Sequence, residues 1–472
     1  MSSVSALNSL LSSSNAASSI DLSAILQAAT GASSPGIDVN AAVSAAVTAA
    51  EAPELNWENQ QSNLQSQATA LSQLQSAVTN LDNDAQSLNS LTGPFSAATV
   101  SSSNSGVVTG TATSGSISGN NVVVVNNLAT TASSTSTTVA SGSTALPAGS
   151  FTITTDGGSS ATITTDGTQT LSDVASEING DNLGVSASVI TDSTGSRLAI
   201  VSNTSGSAAG FSVSSSGFSN FSFTTVAGKD ASLTVNGISI SSATNTVSGV
   251  VPGLTLNLLS ANPGSEVSLV VAPNTAQASA AINQFVSDYN TLIGQVNTQF
   301  TDTGSGEGVL ASDPTVRSLQ SDLLQTLGYT YAPTTGTTTV SSLSSLGISV
   351  NNDGTLTVNN TTLDSALQNN FSDVQNFFQG TSLNGFANSV DQQLTSFISP
   401  ADGAFTLDLQ SLNSQNSALQ DDINNFQTNI IAPLQTQLQA EFSQAEIALQ
   451  QLPNQIKDVD AELGINTSSS NS

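Results

Sequence analysis

Between Trp57 and Leu91 the chain carries an apolar seam that is unstable alone in water. Trp57, Leu64, Leu71, Val78 and Ala85 recur every seven residues, and Leu74, Leu81 and Leu88 follow three residues behind the same repeat. An α-helix gathers these side chains into one stripe two residues wide, the surface that one helix offers another. The rest of the segment is mostly Ser, Gln and Asn, and neither Gly nor Pro interrupts it before Gly93-Pro94. A long helix is therefore expected, with its partner elsewhere in the chain or in a second copy.

The available chemistry narrows the function sharply. Among 472 residues there is no Cys and no His, which removes disulfides, thiolate nucleophiles, sulfur-ligated metals and the usual general base. Only Lys229, Lys457, Arg197 and Arg317 are positive, against 33 acids, a net charge of -29. No basic patch can form, so nucleic acid and anionic lipid surfaces are poor partners on electrostatic grounds, and nucleic acid is effectively excluded. Carboxylate-only chemistry such as glycoside hydrolysis would remain, but one Trp and three Tyr supply few sugar platforms. No catalytic residue, cofactor or metal is expected.

Residues 1–35 are rich in Ser, Ala and Asn, without the basic start and apolar core of a Sec signal peptide. They are expected to be disordered, with a short helix over Ile20–Thr30. No apolar run is long enough to span a bilayer, so no membrane insertion is expected. The Cys-free, hydroxyl-rich composition suits a protein exported without a cleaved signal. The helical arm starts near Asp38, where Asp38 or Asn40 is placed to cap it, and Ala52-Pro53 breaks it before the main seam.

After Pro94 the apolar period changes from helical to two, and NNVVVVNNLA from Asn120 reads as a buried strand. FTITTDGGSS and ATITTDGTQT form a ten-residue tandem whose Asp156-Gly157 and Asp166-Gly167 suit hairpin turns. The spacing of a calcium loop is missing, so these aspartates read as turn residues. From Thr170, TLSDVASEING gives a short helix with Leu171, Val174, Ala175 and Ile178 on one face and Ser172 as its cap. A hairpin follows, turning at Asp192 to Gly195. This unit, with Ile178-Asn179 closing its helix, resembles the flagellin IN motif.

Further on come strands over Ser232–Val235, Leu254–Leu258 and Val267–Val271, with Asn236-Gly237 as a turn. Asp230-Ala231, Val235-Asn236-Gly237, Asn245-Thr246-Val247 and Pro252-Gly253-Leu254-Thr255-Leu256, in this order, resemble the flagellar filament cap family, hook-associated protein 2. Flagellin lacks this run. FVSDYNTLI, within a helix over Ala276–Phe300, is also similar to that family, as are the Asp313-Pro314 helix start, a hairpin at Asp353-Gly354 and a helix over Leu363–Phe378.

A second seam answers the first. Leu412, Leu419, Ile423, Phe426 and Ile430 continue a 3/4 spacing, and Phe442, Ala445, Leu449, Leu452, Ile456 and Val459 resume it. Between them the stripe drifts through Leu434 and Leu438, and Pro433 is expected to kink or restart the helix. Pro453 is expected to interrupt it again. The two seams cannot then match throughout, leaving Trp57 and Leu64, beside Gln60 and Gln67, to meet a neighbouring molecule.

The expected class is α+β multidomain, with terminal helices forming a coiled-coil or bundle leg and antiparallel β-rich heads inserted between them. Its parts are residues 1–35, the leg 36–94, a discontinuous β domain over 95–140 and 227–272, an outer β domain over 141–226, a helical domain with a hairpin over 273–400, the returning leg 401–464 and a disordered tail 465–472. The resemblance implies a homo-oligomeric ring on the distal filament end that receives flagellin and keeps it from escaping. It further implies contacts with a hook-filament junction protein and an export chaperone, and export by the flagellar type III route. Flagellin, a junction protein or a surface adhesin are the competing identities.

Overall fold

The computed structural model describes residues 38–462, except 219, 302–305, 334, 335 and 337. The expectations for residues 1–35 and 465–472 lie outside the described residues.

The chain enters as α1, Val39–Ala50, whose first turn is capped by the Asp38 carboxylate accepting from the Ala41 N–H at 3.0 Å. After Glu51, α2 runs over Ala52–Asn89 with Pro53 in its first turn, where a missing N–H costs nothing. Its 38 residues span about 57 Å at the α-helical rise. Strands β1 (Ala98–Ser102), β2 (Val108–Ala112), β3 (Gly119–Asn127) and β4 (Thr131–Ser136) follow. Then come β5 (Gly149–Thr155), β6 (Ser160–Thr165), α3 (Leu171–Gly180), β7 (Val185–Asp192), β8 (Gly195–Ser205), β9 (Phe211–Ser216) and β10 (Phe223–Val226). The chain returns through β11 (Ala231–Val235), β12 (Ile238–Ser242), β13 (Thr246–Val251), β14 (Leu254–Leu258) and β15 (Val267–Pro273).

The remainder is mainly helical: α4 (Thr275–Phe300), α5 (Pro314–Thr326), the hairpin β16 (Ile348–Val350) and β17 (Leu356–Val358), α6 (Asn360–Asn369), α7 (Phe371–Gln379) and α8 (Phe386–Ile398). Helix α9 (Ala404–Phe426) then passes through a π-helical turn, Gln427–Ile431, into α10 (Ala432–Glu462).

Three hydrophobic clusters organise these elements. The inner β body has a fully antiparallel sheet ordered β1-β15-β3-β11-β12, facing a sheet ordered β13-β14-β2. Alternation along β3 and β11 turns Val123, Val125, Leu233 and Val235 toward Leu254, Leu256 and Leu258. The β11–β12 turn uses Asn236 at φ 50° and Gly237 at φ 81°, the left-handed pair favoured in two-residue hairpins.

The outer body has sheets ordered β10-β4-β8-β7 and β6-β5-β9, with α3 closing the core. Here three expectations are corrected. Strand β4 pairs with β8 and β10, so the crossing between bodies lies at Thr130 and Lys229, ahead of the expected boundary at 140. Helix α3 is capped by Thr170, which shares a reciprocal capping box with Asp173, and not by Ser172. Asp156-Gly157 does turn β5 into β6, whereas Asp166 accepts from the N–H and hydroxyl of Thr168 in a local turn leading to α3. Identical sequence has different outcomes because only the first copy is followed by a strand.

The helical body is built on α2. Leu71, Leu74, Val78, Leu81, Ala85 and Leu88 are buried in one core with Ile282, Phe285 and Ile293 of α4 and with Phe377, Phe378 and Phe386. Phe377 stacks on Phe386 at 5.4 Å, and Phe285 meets the same ring edge-on at 5.7 Å. The boundaries expected at 94 and 401 are thus corrected: the second half of α2 and the first turns of α9, through Phe405, share a core with residues of the 273–400 segment.

Candidate assembly surface on the helical leg

Beyond the body, the first half of α2 runs antiparallel to α9, and α1 packs on α10. The pairing can be followed outward by partners. Gln61 Nε2 donates to Gln420 Oε1 at 3.0 Å. Trp57 meets Phe426 edge-to-face at 5.3 Å and 88°. The Gln427 amide donates to the Glu54 carboxylate, which is 8% exposed. Amide donors, rather than ion pairs, make these polar contacts, as four cations in 472 residues require. Among the described residues the ion pair is Arg197 with Asp192, far out on the β7–β8 turn.

Each predicted seam residue can now be placed. Leu71, Leu74, Val78, Leu81 and Leu88 are buried in the body. Trp57 and Leu64 are half-buried and face the returning helix, Leu64 sharing a shallow depression with Ala418 and Leu419. The expectation that these two are left unmatched is therefore corrected. Leu412, Leu419 and Phe426 are half-buried, and Ile423 is buried.

At the π turn the seam shifts phase. The Ala432 N–H reaches back five residues to the Gln427 carbonyl, which inserts one residue into the helical repeat. As a result Ile431 is buried at 3% exposure while Ile430 is exposed at 47%, a correction to the expected stripe. Pro433 then falls in the opening turn of α10. The structure resolves the expected drift as this π turn, with a new stripe through Ile431, Leu434 and Leu438.

Helix α1 buries Ala42 and Val43, and on α10 burial reaches Leu438 and ends with a half-buried Phe442. Past that point no described element covers the seam. Leu449, Leu452, Ile456 and Val459 stand about half exposed at steps of three, four and three, with Ile447 beside them. Pro453 lies inside this stretch without ending it, correcting the expected interruption. Its missing N–H would otherwise serve the Leu449 carbonyl, and on an exposed helix water can take that place.

Sequence reasoning missed Ile431 and the polar pair Glu54–Gln427. Their signal was weak: Ile430 and Ile431 are adjacent and alike, and packing alone chooses between them. The aspartates of the tandem lie in turns, and no group of three or more acids placed to hold an ion occurs among the described residues. No described helix is long and apolar enough to cross a membrane.

Comparison with known proteins gives a consistent assignment. Residues 35–132 match the family model for the flagellar hook-associated protein 2 N-terminus, and residues 228–454 that for its C-terminus. Residues 150–204 match the flagellin hook IN motif. The chain is 27% identical over 289 residues to the lateral flagellar hook-associated protein 2 of Vibrio parahaemolyticus, covering 57% of this chain and 61% of that one. It is 31% identical over 155 residues to the B-type flagellar hook-associated protein 2 of Pseudomonas aeruginosa, covering 31% and 32%. The matches thus span less than two thirds of these relatives. Among solved structures, the D1-D2-D3 domains of the flagellar cap protein FliD from Escherichia coli align with TM-score 0.55 and 27% identity, over 73% of this chain and 99% of that one.

Proposed function

The chain belongs to the flagellar hook-associated protein 2 family, and from that premise we propose that it caps the distal end of a bacterial flagellar filament. In this role it promotes flagellin polymerisation and prevents flagellin from leaking away. The observation that carries the reading is the division of the molecule: β bodies that bury their cores, and a leg whose outer seam, Leu449 to Val459, is about half exposed and covered by no described element. A stripe two residues wide at heptad spacing is suited to another helix. Flagellin at the filament tip and neighbouring copies in a ring are the partners it fits, with a junction protein and an export chaperone met before assembly.

Such an activity makes and breaks no covalent bond. The leg seam offers temporary apolar contacts at the growing end, and each new subunit replaces them with its own. The protein reaches the tip through the flagellar type III route. Deleting the gene tests this directly. Short or absent filaments with unpolymerised flagellin in the medium are expected, and restoration by the wild-type gene; normal filaments would falsify the capping role.

A further inference from the structure

Helix α2 is gripped at two points by carboxyl groups that no cation compensates. Asp82 is 5% exposed and lies against Asp391 of α8, both held by one amide: Gln86 Nε2 donates to Asp82 Oδ2 at 2.8 Å and to Asp391 Oδ1 at 2.9 Å. Two residues on, about half a turn round on the other flank, Asp84 faces Asp288 of α4, which accepts from Gln284 at 3.1 Å. Asp82 Oδ1 and Asp84 Oδ2 are inaccessible to solvent and have no hydrogen-bond partner.

Asp391, Asp84 and Asp288 are half-buried, and two ionised carboxylates facing each other partly shielded from water repel strongly without a counter-charge. Helices α2, α4, α8 and α9 contain no Lys or Arg, and Arg317 of α5, which packs on α4 and α8, is turned to the Ala311 carbonyl and the Phe300 ring; the other acids of these and the adjoining helices α5, α6 and α7 are Glu54, Glu58, Asp322, Asp364, Asp373, Asp408, Asp421 and Asp422, which can only add negative potential. A shared proton supplies both the missing donor and the missing charge balance. We propose that Asp82–Asp391 and Asp84–Asp288 are proton-sharing clamps that seat α2 between α8 and α4, and that losing these protons loosens the leg's root in the helical body.

Burial, then the hydrogen bond and repulsion from Asp391, push Asp82 up to about 7; burial, then Asp288, push Asp84 up to about 6. A raised carboxyl leaves the folded state fully stabilised below its unfolded value and progressively destabilised as pH climbs through the folded one. The window therefore runs from about pH 4 to about pH 7. This inference stands on the fold alone and is independent of the capping role.

The experiment is urea unfolding of the full chain between pH 5 and 8.5, for wild type, Asp391→Asn and the double variant Asp391→Asn with Asp288→Asn. The wild-type midpoint should fall with rising pH. The single variant should flatten part of that slope and the double variant most of it, with both more stable than wild type at pH 8. Parallel profiles for all three proteins would overturn the clamps. Should the variants not fold, carbon-13 NMR titration of the wild-type aspartate carboxyls decides: a midpoint for Asp82 near 7 supports the proposal, and one near 4 refutes it.

Discussion

The side-chain amide of Asn290 reproduces one rung of a β-ladder against Leu356. Its Oδ1 accepts from the Leu356 N–H at 2.6 Å, and its Nδ2 donates to the Leu356 carbonyl at 2.8 Å. The same double clip joins Asn179 to Ala187 and Asn245 to Ala129. In each case an Asn fixes a segment to the backbone of a residue that its own backbone cannot reach. These are the asparagines of Ile178-Asn179, Asn245-Thr246 and Tyr289-Asn290, so the resemblance at those positions rests on a physical role.

Replacing Asn290 with Asp keeps the acceptor and removes the donor. The Leu356 carbonyl loses its partner beside a carboxylate, and a loss of about 1–3 kcal/mol is expected. Urea unfolding of the full chain measures it. A loss below about 0.5 kcal/mol, the usual scale of a neutral surface change, would show that water replaces the clip without cost.

Leu64 and Leu71 occupy the same heptad position, yet should respond differently to Ser. Leu71 is fully buried in the body, so Leu71→Ser should destabilise the protein by about 2–5 kcal/mol, as large-to-small core changes do. Leu64 is half-buried on the leg and should cost less, about 1 kcal/mol of lost apolar contact. Hydrogen exchange separates the two. Leu64→Ser should raise exchange near Ala418 and Leu419 alone; equal exposure of the body would mean that leg and body unfold as one unit.

The contrast between these two residues shows what the amino-acid pattern could and could not reveal. The heptad seam specified a long α2 and a returning helix because spacing alone decides which side chains share a face. It did not reveal how many neighbours that face would have. A stripe wide enough for one helix meets α9 along its first half and a multi-helix core along its second, since Phe285, Phe377 and Phe386 arrive from distant segments. The strands and the Asn236-Gly237 turn were legible for the same local reasons. The π turn and the buried acids were not: the first depends on which of two isoleucines packs, and the second on burial that only the assembled helices create.

The bare seam of α10 should be dispensable for the monomer. Replacing Leu449, Leu452 and Ile456 together with Ser should change unfolding stability by no more than about 0.5 kcal/mol per site, because each is already about half exposed. Ring or filament-end assembly should fail in the same protein. Because almost no cations are available, assembly of the wild type should also vary little between low and moderate salt. Analytical ultracentrifugation across a salt series reads both effects; assembly by the triple variant would move the contact elsewhere.

Asp230 should set the angle between the two β bodies. The chain crosses between them only twice, and at the crossing Gly206 donates to the Thr130 carbonyl at 3.1 Å, as does Lys229. The outer side is fastened by Ser205 Oγ donating to the Ala243 carbonyl at 2.7 Å and by Ser207 N–H donating to Asp230 Oδ1 at 2.6 Å. Packing leaves no room for a substitute: a Cβ on Gly228 would lie 2.5 Å from the Gly206 carbonyl oxygen. The Ser207 contacts hold the Asp230 carboxyl below its usual range, so this fastening is present above about pH 4 and weakens as pH falls further. Asp230→Ala removes it at every pH while sparing both cores. With spin labels at Ser172 and Ser239, double electron–electron resonance should give one narrow distance distribution for the parent and a broadened one for the variant. Unchanged distributions would show that the backbone bridges at Thr130 hold the angle without Asp230.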